Sequence, residues 1–311
     1  MFKRLTLMTS LMIASSLLAG CGNSVSSASH HATAIRLTDD AHHTITLKKP
    51  ATRIVTLQPS NAEIALDLGL KSELVGTDKA TFQYTPKPWQ HQLRGIPDIG
   101  PSIPGINIEE IVAAKPNLVI ATGGITGLSA LARFHIPVLV LQPNSINGIY
   151  RDIRLVGRAT GKNVQARSLV AHMKQRIQRI QKAVSRTKSR PTVFYDLGGL
   201  YTVGPHTFLN SLISLAGATN VGARLSAKPY PDVTAEQAVK ANPSIILSDA
   251  RAGATVFQVD HLAGFSSIRA LKQGQVYAVP HPSYVNEPSP AVVLGLEELV
   301  TLLHPHLKLK P

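Results

Sequence analysis

The sequence predicts an α/β protein of two similar lobes, each built on a mostly parallel sheet, with a long helix between them. Three observations support this fold class. Strand-like runs alternate with helical patterns, one segment recurs within the chain, and one long helical pattern separates two series of strands. The chain has 311 residues, of which 44% are hydrophobic, and this is enough to form two cores of ordinary domain size.

The N-terminus has the pattern of a secretion signal. Lys3 and Arg4 precede an apolar run at residues 5–18, which is too short and too rich in Ser and Thr for a membrane span. The run leads to Cys21, the single cysteine of the chain, so an intrachain disulfide is excluded. The tetrapeptide Leu-Ala-Gly-Cys at residues 18–21 resembles the lipobox of bacterial lipoproteins.

This resemblance implies that residues 1–20 are removed as a signal peptide and that the thiol of Cys21 is lipidated. Residues 21–33, which are mostly small and polar, are predicted to form a flexible tether to the membrane. Because one acyl chain holds a protein only marginally, the anchor of a lipoprotein needs two or more chains. An ordinary secretion signal with an incidental cysteine is the alternative.

The mature chain contains a predicted hairpin and two series of predicted strands. Residues 35–37 and 45–47 alternate around a turn rich in Asp and His, and are predicted to pair. The two series are at residues 54–57, 74–76, 118–121 and 138–141, and at residues 192–195, 201–203, 245–247 and 276–279. Strands that alternate with helices form parallel or mostly parallel sheets, so each series predicts one sheet.

Residues 163–188 form a helical pattern between the two series and contain neither Gly nor Pro. The apolar residues recur at helical spacing: Leu169, Met173, Ile177, Ile180 and Val184. A helix of this length spans about 38 Å. We therefore predict a rigid connecting helix between an N-terminal lobe, residues 34–162, and a C-terminal lobe, residues 189–311. One more layer helix of a single domain is the alternative.

Residues 107–120 and 234–247 are two copies of one pattern. Each copy has a capping residue, a short helix that stops before a proline, and a buried strand. The segments from Glu109 and Glu236 to the following proline have the same length. Two copies on either side of a long helix indicate two related lobes.

The first residues of each copy fit a helix N-terminus. Asn107 and Thr234 are the predicted caps, and three residues after each stands the Glu or Gln that a capping box needs. Glu109 and Glu236 are left on exposed first turns. They either complement the helix dipole or form a matched pair of acids, one per lobe, presented to a common partner.

Composition and motifs argue against nucleic-acid binding and catalysis. Lys and Arg number 32 against 18 Asp and Glu, a net charge of +14, but the basic residues are dispersed, so nucleic acid is not a predicted partner. An anionic ligand, an anionic envelope surface and acidic surroundings stay open. Residues 157–163 resemble a phosphate loop with wrong glycine spacing and no Ser or Thr after the lysine. Residues 264–266 lack the second glycine of a nucleophile elbow.

The chain has 12 histidines, which raises the question of a metal site. The close pairs lie in the tether, in a turn and in the C-terminal tail, at residues 30–31, 42–43 and 304–306. They lack a third ligand at the spacing that metal sites show. We therefore predict no metal site, no cofactor and no enzymatic activity.

Three segments, residues 53–63, 105–121 and 230–237, together resemble the iron-siderophore/cobalamin class of ABC-transporter binding proteins. Residues 274–279 and 288–290 fit the C-terminal end of the same family. The resemblance covers nearly the whole mature chain, with the motifs in the expected order. It implies a class III periplasmic-binding-protein fold, with two Rossmann-like lobes, a backbone helix and a shallow cleft that changes little on binding.

The resemblance also assigns residues to sites. Glu109 and Glu236 fall where each lobe of a relative docks an arginine of the permease. The positions that contact ligand in relatives match Gln58, Pro59, Thr81, Phe82, Tyr84 and Ile103 in the first lobe, and His206, Tyr230, Tyr284 and Asn286 in the second. Ile103 stands where cobalamin-specific relatives carry an aromatic residue.

The expected function is capture of a metal chelate, either a ferric siderophore or a corrinoid such as cobalamin, and its delivery to an ABC permease and ATPase. Tyr84, Tyr230 and Tyr284 would supply flat apolar area with polar tips for such a ligand. The protein is expected to be monomeric, extracytoplasmic and anchored to the membrane. The alternatives are haem import, with His206 or His281 as axial ligand, and an envelope enzyme or adhesin on the same fold.

Overall fold

The computed structural model describes residues 34–249 and 264–309. The predicted signal peptide, the tether and Cys21 lie outside these residues. The described chain forms a hairpin and two larger sheets with helices packed on them. The predicted fold class, α/β with two mostly parallel sheets joined by a long helix, is confirmed.

Residues 35–141 supply the hairpin and the strands of the first sheet. The strands are β1 (Ile35–Thr38), β2 (Thr44–Leu47), β3 (Ile54–Thr56), β4 (Leu74–Thr77), β5 (Leu118–Thr122) and β6 (Val138–Leu141). The hairpin pairs β1 with β2 in antiparallel fashion. The first sheet has the order β4-β3-β5-β6, and its strands are all parallel. Their carboxyl ends therefore meet at one edge.

Helices and short 3₁₀ turns connect the strands of the first sheet. The helices are α1 (Pro59–Asp67), α2 (Lys79–Tyr84), α3 (Lys87–Gln90), α4 (Ile108–Ala113) and α5 (Ile146–Thr160). The 3₁₀ turns span Lys71–Glu73, His91–Leu93 and Leu128–Phe134. The helices return the chain to the amino end of the sheet, as parallel pairing requires.

The connecting helix α6 (Asn163–Ser185) has 23 residues and is about 35 Å long. It ends three residues before the predicted end at Lys188. The Thr187 hydroxyl donates a 2.8 Å hydrogen bond to the carbonyl of Val184, and this satisfies one of the last carbonyls of the helix. The boundaries predicted for the two lobes stay predictions.

The second sheet follows α6. Its strands are β7 (Thr192–Gly198), β8 (Tyr201–Thr202), β9 (Thr219–Asn220), β10 (Ile245–Ser248) and β11 (Val276–Ala278). The order is β11-β10-β7-β8, and β9 also pairs with β7. β8 is antiparallel to β7, whereas the other pairs are parallel. The sequence does not predict β9, because two residues carry no period.

The helices that the structure describes in the second lobe have four to eight residues, apart from the last, which has 12. They are α7 (Phe208–Leu215), α8 (Gly222–Leu225), α9 (Ala235–Ala241), α10 (Arg269–Lys272), α11 (Pro282–Asn286) and α12 (Val292–Leu303), with a 3₁₀ turn at Phe265–Ser267. α12 packs against both α6 and α7. It therefore covers the junction between the connecting helix and the second lobe.

α6 runs from the amino edge of the first sheet to the amino edge of the second. Near its start, the amide of Ala51, just before β3, donates to the carbonyl of Ala159 in α5 at 2.8 Å. Near its end, Gly217, just before β9, packs so closely that a Cβ there would lie 2.3 Å from Cγ1 of Val184. Both contacts place the ends of α6 beside the starts of strands.

One hydrophobic cluster extends through α6 into both sheets. It contains Leu118 of β5, Ile177 of α6, Tyr195 of β7 and Leu299 of α12, all of them buried. Two further clusters bury the opposite face of each sheet. The parallel strands are thus apolar on both faces, as strands covered by helices on both sides are. The two lobes share a core through the connecting helix.

The internal repeat is present as two helix–strand units, α4 with β5 and α9 with β10. The Asn107 side chain accepts a 3.2 Å hydrogen bond from the amide of Glu110, so its predicted capping role is confirmed. Thr234 and Gln237 form a complete capping box, with hydrogen bonds of 3.1 and 2.9 Å. The two copies therefore start in the same way, and the complete box belongs to the second.

Candidate functional site

Polar side chains gather at the carboxyl edge of the first sheet. Gln58 follows β3 and Asp78 follows β4, so both lie where open α/β sheets bind ligands. Gln58 has a backbone φ of +80°, a region that favours glycine, and it precedes Pro59, the first residue of α1. The hydrogen bonds of Gln58 to Asp78 hold it in this conformation.

Asp78 is fully buried and organises this edge. One carboxylate oxygen accepts from the Gln58 amide at 3.0 Å, and from the hydroxyl and amide of Thr81 at 2.5 and 3.2 Å. The other accepts from the Gln58 side chain at 3.3 Å and from the Ser102 hydroxyl. Gln58 also donates to Ser102 at 2.6 Å. Asp78 was not among the residues predicted from the sequence, although an acid between a strand and a helix is a cap signal.

The predicted cleft residues of the first lobe differ in exposure. Tyr84 and Ile103 are 51% and 68% exposed, which is unusual for large apolar side chains and leaves their surfaces available to a ligand. Phe82 is half-buried, whereas Pro59 and Thr81 are buried. Pro59 and Thr81 can shape the wall of the cleft, but they expose little surface to a ligand.

A pocket of about 270 Å³ lies in the second lobe. It is lined by Leu197, Tyr201, Phe208, Leu209, Tyr230 and Asn286, of which Tyr230 and Asn286 are predicted cleft residues. The rings of Tyr201 and Tyr230 are tilted by 31° with centroids 6.2 Å apart, and both rings are about 40% exposed. Burial, and next the neighbouring Tyr201, raise the pKa of Tyr230 above its ordinary value, and the phenol is a hydrogen-bond donor at neutral pH. The sequence did not predict Tyr201 at this pocket, because Tyr230, whose ring lies beside it, is 29 residues away in the chain.

Asn286 is fixed at the end of this pocket by two strands. Its amide nitrogen donates to the carboxylate of Asp249, which follows β10. Its amide oxygen accepts a weak 3.5 Å hydrogen bond from the hydroxyl of Tyr195 in β7. Burial raises the pKa of the neighbouring Asp196, although the amides of Gly198 and Leu200 donate to that carboxylate.

The other two predicted residues of the second lobe lie apart from the pocket lining. His206 is exposed, with a backbone φ of +60°. Tyr284 is only 9% exposed and its ring stacks on His281, with centroids 4.8 Å apart. His281 in turn lies 2.5 Å from the carboxylate of Glu298. Little of the Tyr284 ring is exposed in this arrangement, and its role at the ligand stays a prediction.

The two lobes are also joined by a buried polar contact. The hydroxyl of Ser289, after α11, donates to the carboxylate of Glu63 in α1, and both side chains are fully buried. Burial raises the pKa of Glu63 well above its usual range, and the nearby Glu287 carboxylate adds to the rise. A protonated Glu63 avoids a buried charge at the junction.

Glu109 and Glu236 occupy matching positions on the first turns of α4 and α9. Both are exposed, and within the described residues neither carboxylate forms a hydrogen bond or ion pair. Each helix runs back to the start of the strand that follows it, so each first turn lies toward the carboxyl edge of its sheet. The two acids thus lie on the side of the molecule that carries the candidate cleft.

Neither a metal cluster nor a membrane-crossing helix is found in the part of the chain that the structure describes. There, no group of three or more His, Cys, Asp or Glu side chains could hold a metal ion. Around the candidate cleft the carboxyl edges offer aromatic rings and amides, and the carboxylates of Asp78 and Asp249 already have partners. This arrangement is suited to holding a large ligand by its surface.

Comparisons with known proteins agree on one family. The family model described as periplasmic binding protein matches residues 54–282. An uncharacterized ABC transporter substrate-binding lipoprotein of Bacillus subtilis is 30% identical over 98% of each chain. A cobalamin-binding protein of Halobacterium salinarum is 29% identical over 86% of this chain and 73% of its own. The crystal structure of a possible iron-binding protein from Staphylococcus epidermidis has a TM-score of 0.72 at 26% identity, covering 82% of this chain and 100% of that one.

Proposed function

The chain belongs to the periplasmic binding protein family, and we propose that it is the substrate-binding protein of an ABC importer. It captures a ligand outside the cytoplasm and delivers it to the permease as a monomer. The observation that carries this proposal is the match of the family model to residues 54–282, which include strands of both sheets and the helix between them. Relatives of this family are binding proteins, and an enzymatic role is not proposed.

The proposed ligand is a large, partly polar metal chelate. Tyr84 and Ile103 offer exposed apolar surface in the first lobe, and Tyr201 and Tyr230 do so in the second. Asn286 adds a fixed polar group at the pocket. Such a mixture suits a corrinoid or a ferric siderophore, because these ligands combine broad apolar faces with polar edges. The relative named for cobalamin makes a corrinoid the first ligand to test.

A thermal-shift panel on the mature protein tests this proposal. The probes are cyanocobalamin, a ferric hydroxamate siderophore, a ferric catecholate siderophore and haem. A ligand at about 100 times its dissociation constant adds about 2.7 kcal/mol to the free energy of unfolding. Tyr230→Ala with Asn286→Ala should abolish the shift, whereas Phe134→Ala, an exposed aromatic of the first lobe, should keep it. Stabilisation by haem with a Soret band lost in His206→Ala would favour haem import. No shift with any probe would contradict the proposal.

We also propose that Cys21 carries a lipid that anchors the protein to the membrane. The lipobox-like residues before Cys21 and the lipoprotein name of the Bacillus relative support this. Cys21→Ser in the native host should leave the precursor unprocessed or release the protein from membranes. The neighbouring Ser24→Ala should fractionate like the wild type. If Cys21→Ser also fractionates and migrates like the wild type, the anchor is wrong.

Glu109 and Glu236 are proposed to dock the permease. Their matched positions, their exposure and their place toward the carboxyl edges of the sheets support a joint role. Charge-assisted hydrogen bonds to arginines are stronger than neutral ones, and charged rims also steer association. With one acid on each lobe, the permease would contact both sides of the ligand cleft at once.

A further inference from the structure

The connecting helix α6 carries a cationic face. Its 23 residues include five Lys and Arg side chains and no Asp or Glu. The opposite side is apolar and buried, with Met173, Ile177, Ile180 and Val184 in the shared core. Because the protein core takes up the apolar side, only the basic side of α6 faces outward, where clustered Lys and Arg attract anionic surfaces or partners.

The second half of α6 borders a groove of about 860 Å³, which we call the basic groove. α12 and the C-terminal segment form its other side, through Glu297, Thr301 and residues 307–309. Its cationic residues are Arg176, Arg179, Lys182, Arg186 and Lys308. Among the lining residues that the structure describes, the single acid is Glu297, which Arg176 engages through hydrogen bonds of 2.8 and 2.9 Å. The described lining therefore holds more Lys and Arg than Asp and Glu.

The basic groove is distinct from the ligand cleft. α6 begins and ends beside the amino ends of the strands, through the Ala51–Ala159 and Gly217–Val184 contacts. The cleft residues follow the carboxyl ends of the strands. An anion in the basic groove would thus lie on the side of the fold away from Glu109 and Glu236.

We propose that the basic face of α6 docks on the anionic phospholipid headgroups of the membrane in which the protein is anchored. This inference rests on the proposed lipidation of Cys21. The tether of residues 21–33 reaches at most about 45 Å. The described chain begins near the start of α6, because Arg158, in the last turn of α5, donates to the carbonyl of Arg36 at 2.8 Å. α6 is about 35 Å long, so the tether allows its whole length to reach the headgroups.

The positive charge along α6 favours contact with an anionic membrane over a helix face that is simply exposed to solvent. Lys and Arg side chains close to an anionic surface are attracted to it. Three of the lining cations, Arg176, Arg179 and Lys182, lie in α6, with Arg186 at its C-cap and Lys308 across the groove, so several positive charges can meet one surface together. The lipid retains the protein at the membrane, and α6 sets its orientation between deliveries, with the cleft turned toward incoming ligand. Docking on the permease then requires that α6 leaves the headgroups, because Glu109 and Glu236 lie on the opposite side of the fold.

The test uses the lipidated protein in vesicles of phosphatidylcholine, with or without about one third phosphatidylglycerol. A fluorophore is attached at Gln175→Cys on α6, or at Glu110→Cys on α4, and is quenched by a lipid-bound quencher. Both positions are exposed. We expect stronger quenching at position 175 than at position 110 in anionic vesicles, and loss of this difference in neutral vesicles and at high salt.

Two triple variants distinguish the effect of the basic groove on quenching from the effect of the net charge of the protein. Arg179→Gln, Lys182→Gln and Arg186→Gln together should reduce quenching at position 175 to the level in neutral vesicles. Lys240→Gln, Arg269→Gln and Lys272→Gln remove the same charge from exposed positions of the second lobe and should leave it unchanged. An equal loss in both triple variants would overturn the proposal.

Further outcomes distinguish the membrane contact of α6 from the lipid anchor and from ligand binding. Equal quenching at both positions in anionic vesicles overturns the membrane contact but leaves the anchor intact. A protein that does not float with vesicles of either composition contradicts lipidation itself. If inorganic polyphosphate binds through the basic groove while anionic vesicles do not, the partner is a soluble polyanion and the membrane proposal is wrong. Ligand-induced thermal shifts should be the same in the wild type and both triple variants.

Discussion

Asp78 accepts hydrogen bonds from three segments that lie apart in sequence. The donors are Gln58 after β3, Thr81 in α2 and Ser102 in the loop before α4. Inside a protein, a carboxylate with all of its partners in place rigidifies the groups around it, because losing one partner leaves a buried charge less well satisfied. The relative positions of Gln58 and Ser102 therefore depend on a residue that is itself inaccessible to ligand.

The substitution Asp78→Asn tests this dependence. The amide keeps the size of the carboxyl group but turns an acceptor into a donor that faces other donors. We expect a loss of about 1–3 kcal/mol in the free energy of unfolding and a roughly tenfold weaker ligand affinity, measured by chemical denaturation and by calorimetry. Asp232→Asn, exposed in the second lobe, should change neither. If the free energy of unfolding falls but the ligand affinity is unchanged, the hydrogen bonds of Asp78 stabilise the fold and do not contribute to ligand binding.

Asp152 gives the protein a pH-dependent stability. It is fully buried in α5. Burial, and next the carboxylate of Asp40, raise the pKa of Asp152 to about 8. The unfolded chain binds this proton only near and below about pH 4. The stability that the proton supplies is therefore complete below about pH 4 and is lost as the pH rises through about 8.

Asp152→Asn should remove this pH dependence, because its amide is uncharged at every pH. We expect the unfolding free energy of the wild type, relative to that of the variant, to fall between about pH 4 and about pH 8 by up to about 1.4 kcal/mol per pH unit. Melting temperatures measured across this range report the change. Asp40→Asn should give an intermediate dependence, since it removes the second cause of the shift. A difference between wild type and variant that is constant with pH would contradict the raised pKa.

Elements with a local signal could be predicted from the sequence. Periodicity predicts α6, and capping predicts the starts of α4 and α9, because both act within a few residues. Contacts between distant segments could not. Asp78 and Ser102 are 24 residues apart, and Glu63 and Ser289 are 226 apart. The burial of Tyr284 could not be predicted either, because α11, with five residues, is too short for a period to show which face is buried. Its place at the ligand comes from the family resemblance and stays a prediction.

Glu109 and Glu236, on the first turns of α4 and α9, are the residues predicted to dock on the permease. Acids on exposed first turns contribute only about 0.3–1 kcal/mol each to stability. Glu109→Ala with Glu236→Ala should therefore keep ligand affinity and nearly all of the melting temperature, but should lose transport and binding to the permease in membranes. Charge reversal to Arg at both positions should be worse than Ala, since like charges would then meet.

Glu110→Ala and Lys240→Ala, on the same two helices, provide the matched control, and transport should persist in this pair. A normal rate of transport in the Glu109→Ala, Glu236→Ala variant would reduce these residues to helix-dipole acids. Loss of ligand binding instead would mean that the cleft lies elsewhere.

At the scale of the whole molecule, the two lobes are held by more than one helix. α6 shares its buried face with both sheets, and α12 packs over the same junction. The buried contact between Glu63 and Ser289 adds a second, polar link. A helix without Pro or Gly bends little. These features together oppose a large hinge motion.

Small-angle scattering should accordingly give nearly equal radii of gyration with and without a ligand identified in the thermal-shift panel. Glu63→Ala with Ser289→Ala removes the polar link but leaves α6, so the radius of gyration should still change little on binding. A compaction of several ångströms in the wild type would show that the lobes close around a flexible connection.

The strands of each sheet are contiguous in the chain, at residues 54–141 and 192–278, and this has a consequence for the order of folding. The first sheet can complete its pairing before the second half of the chain is present, because domains generally fold as units, N-terminal first, during synthesis. The shared core cannot be completed so early, since α12 is among the last segments of the chain and covers α6. A chain truncated before Val292 would expose part of the apolar side of α6 and should aggregate.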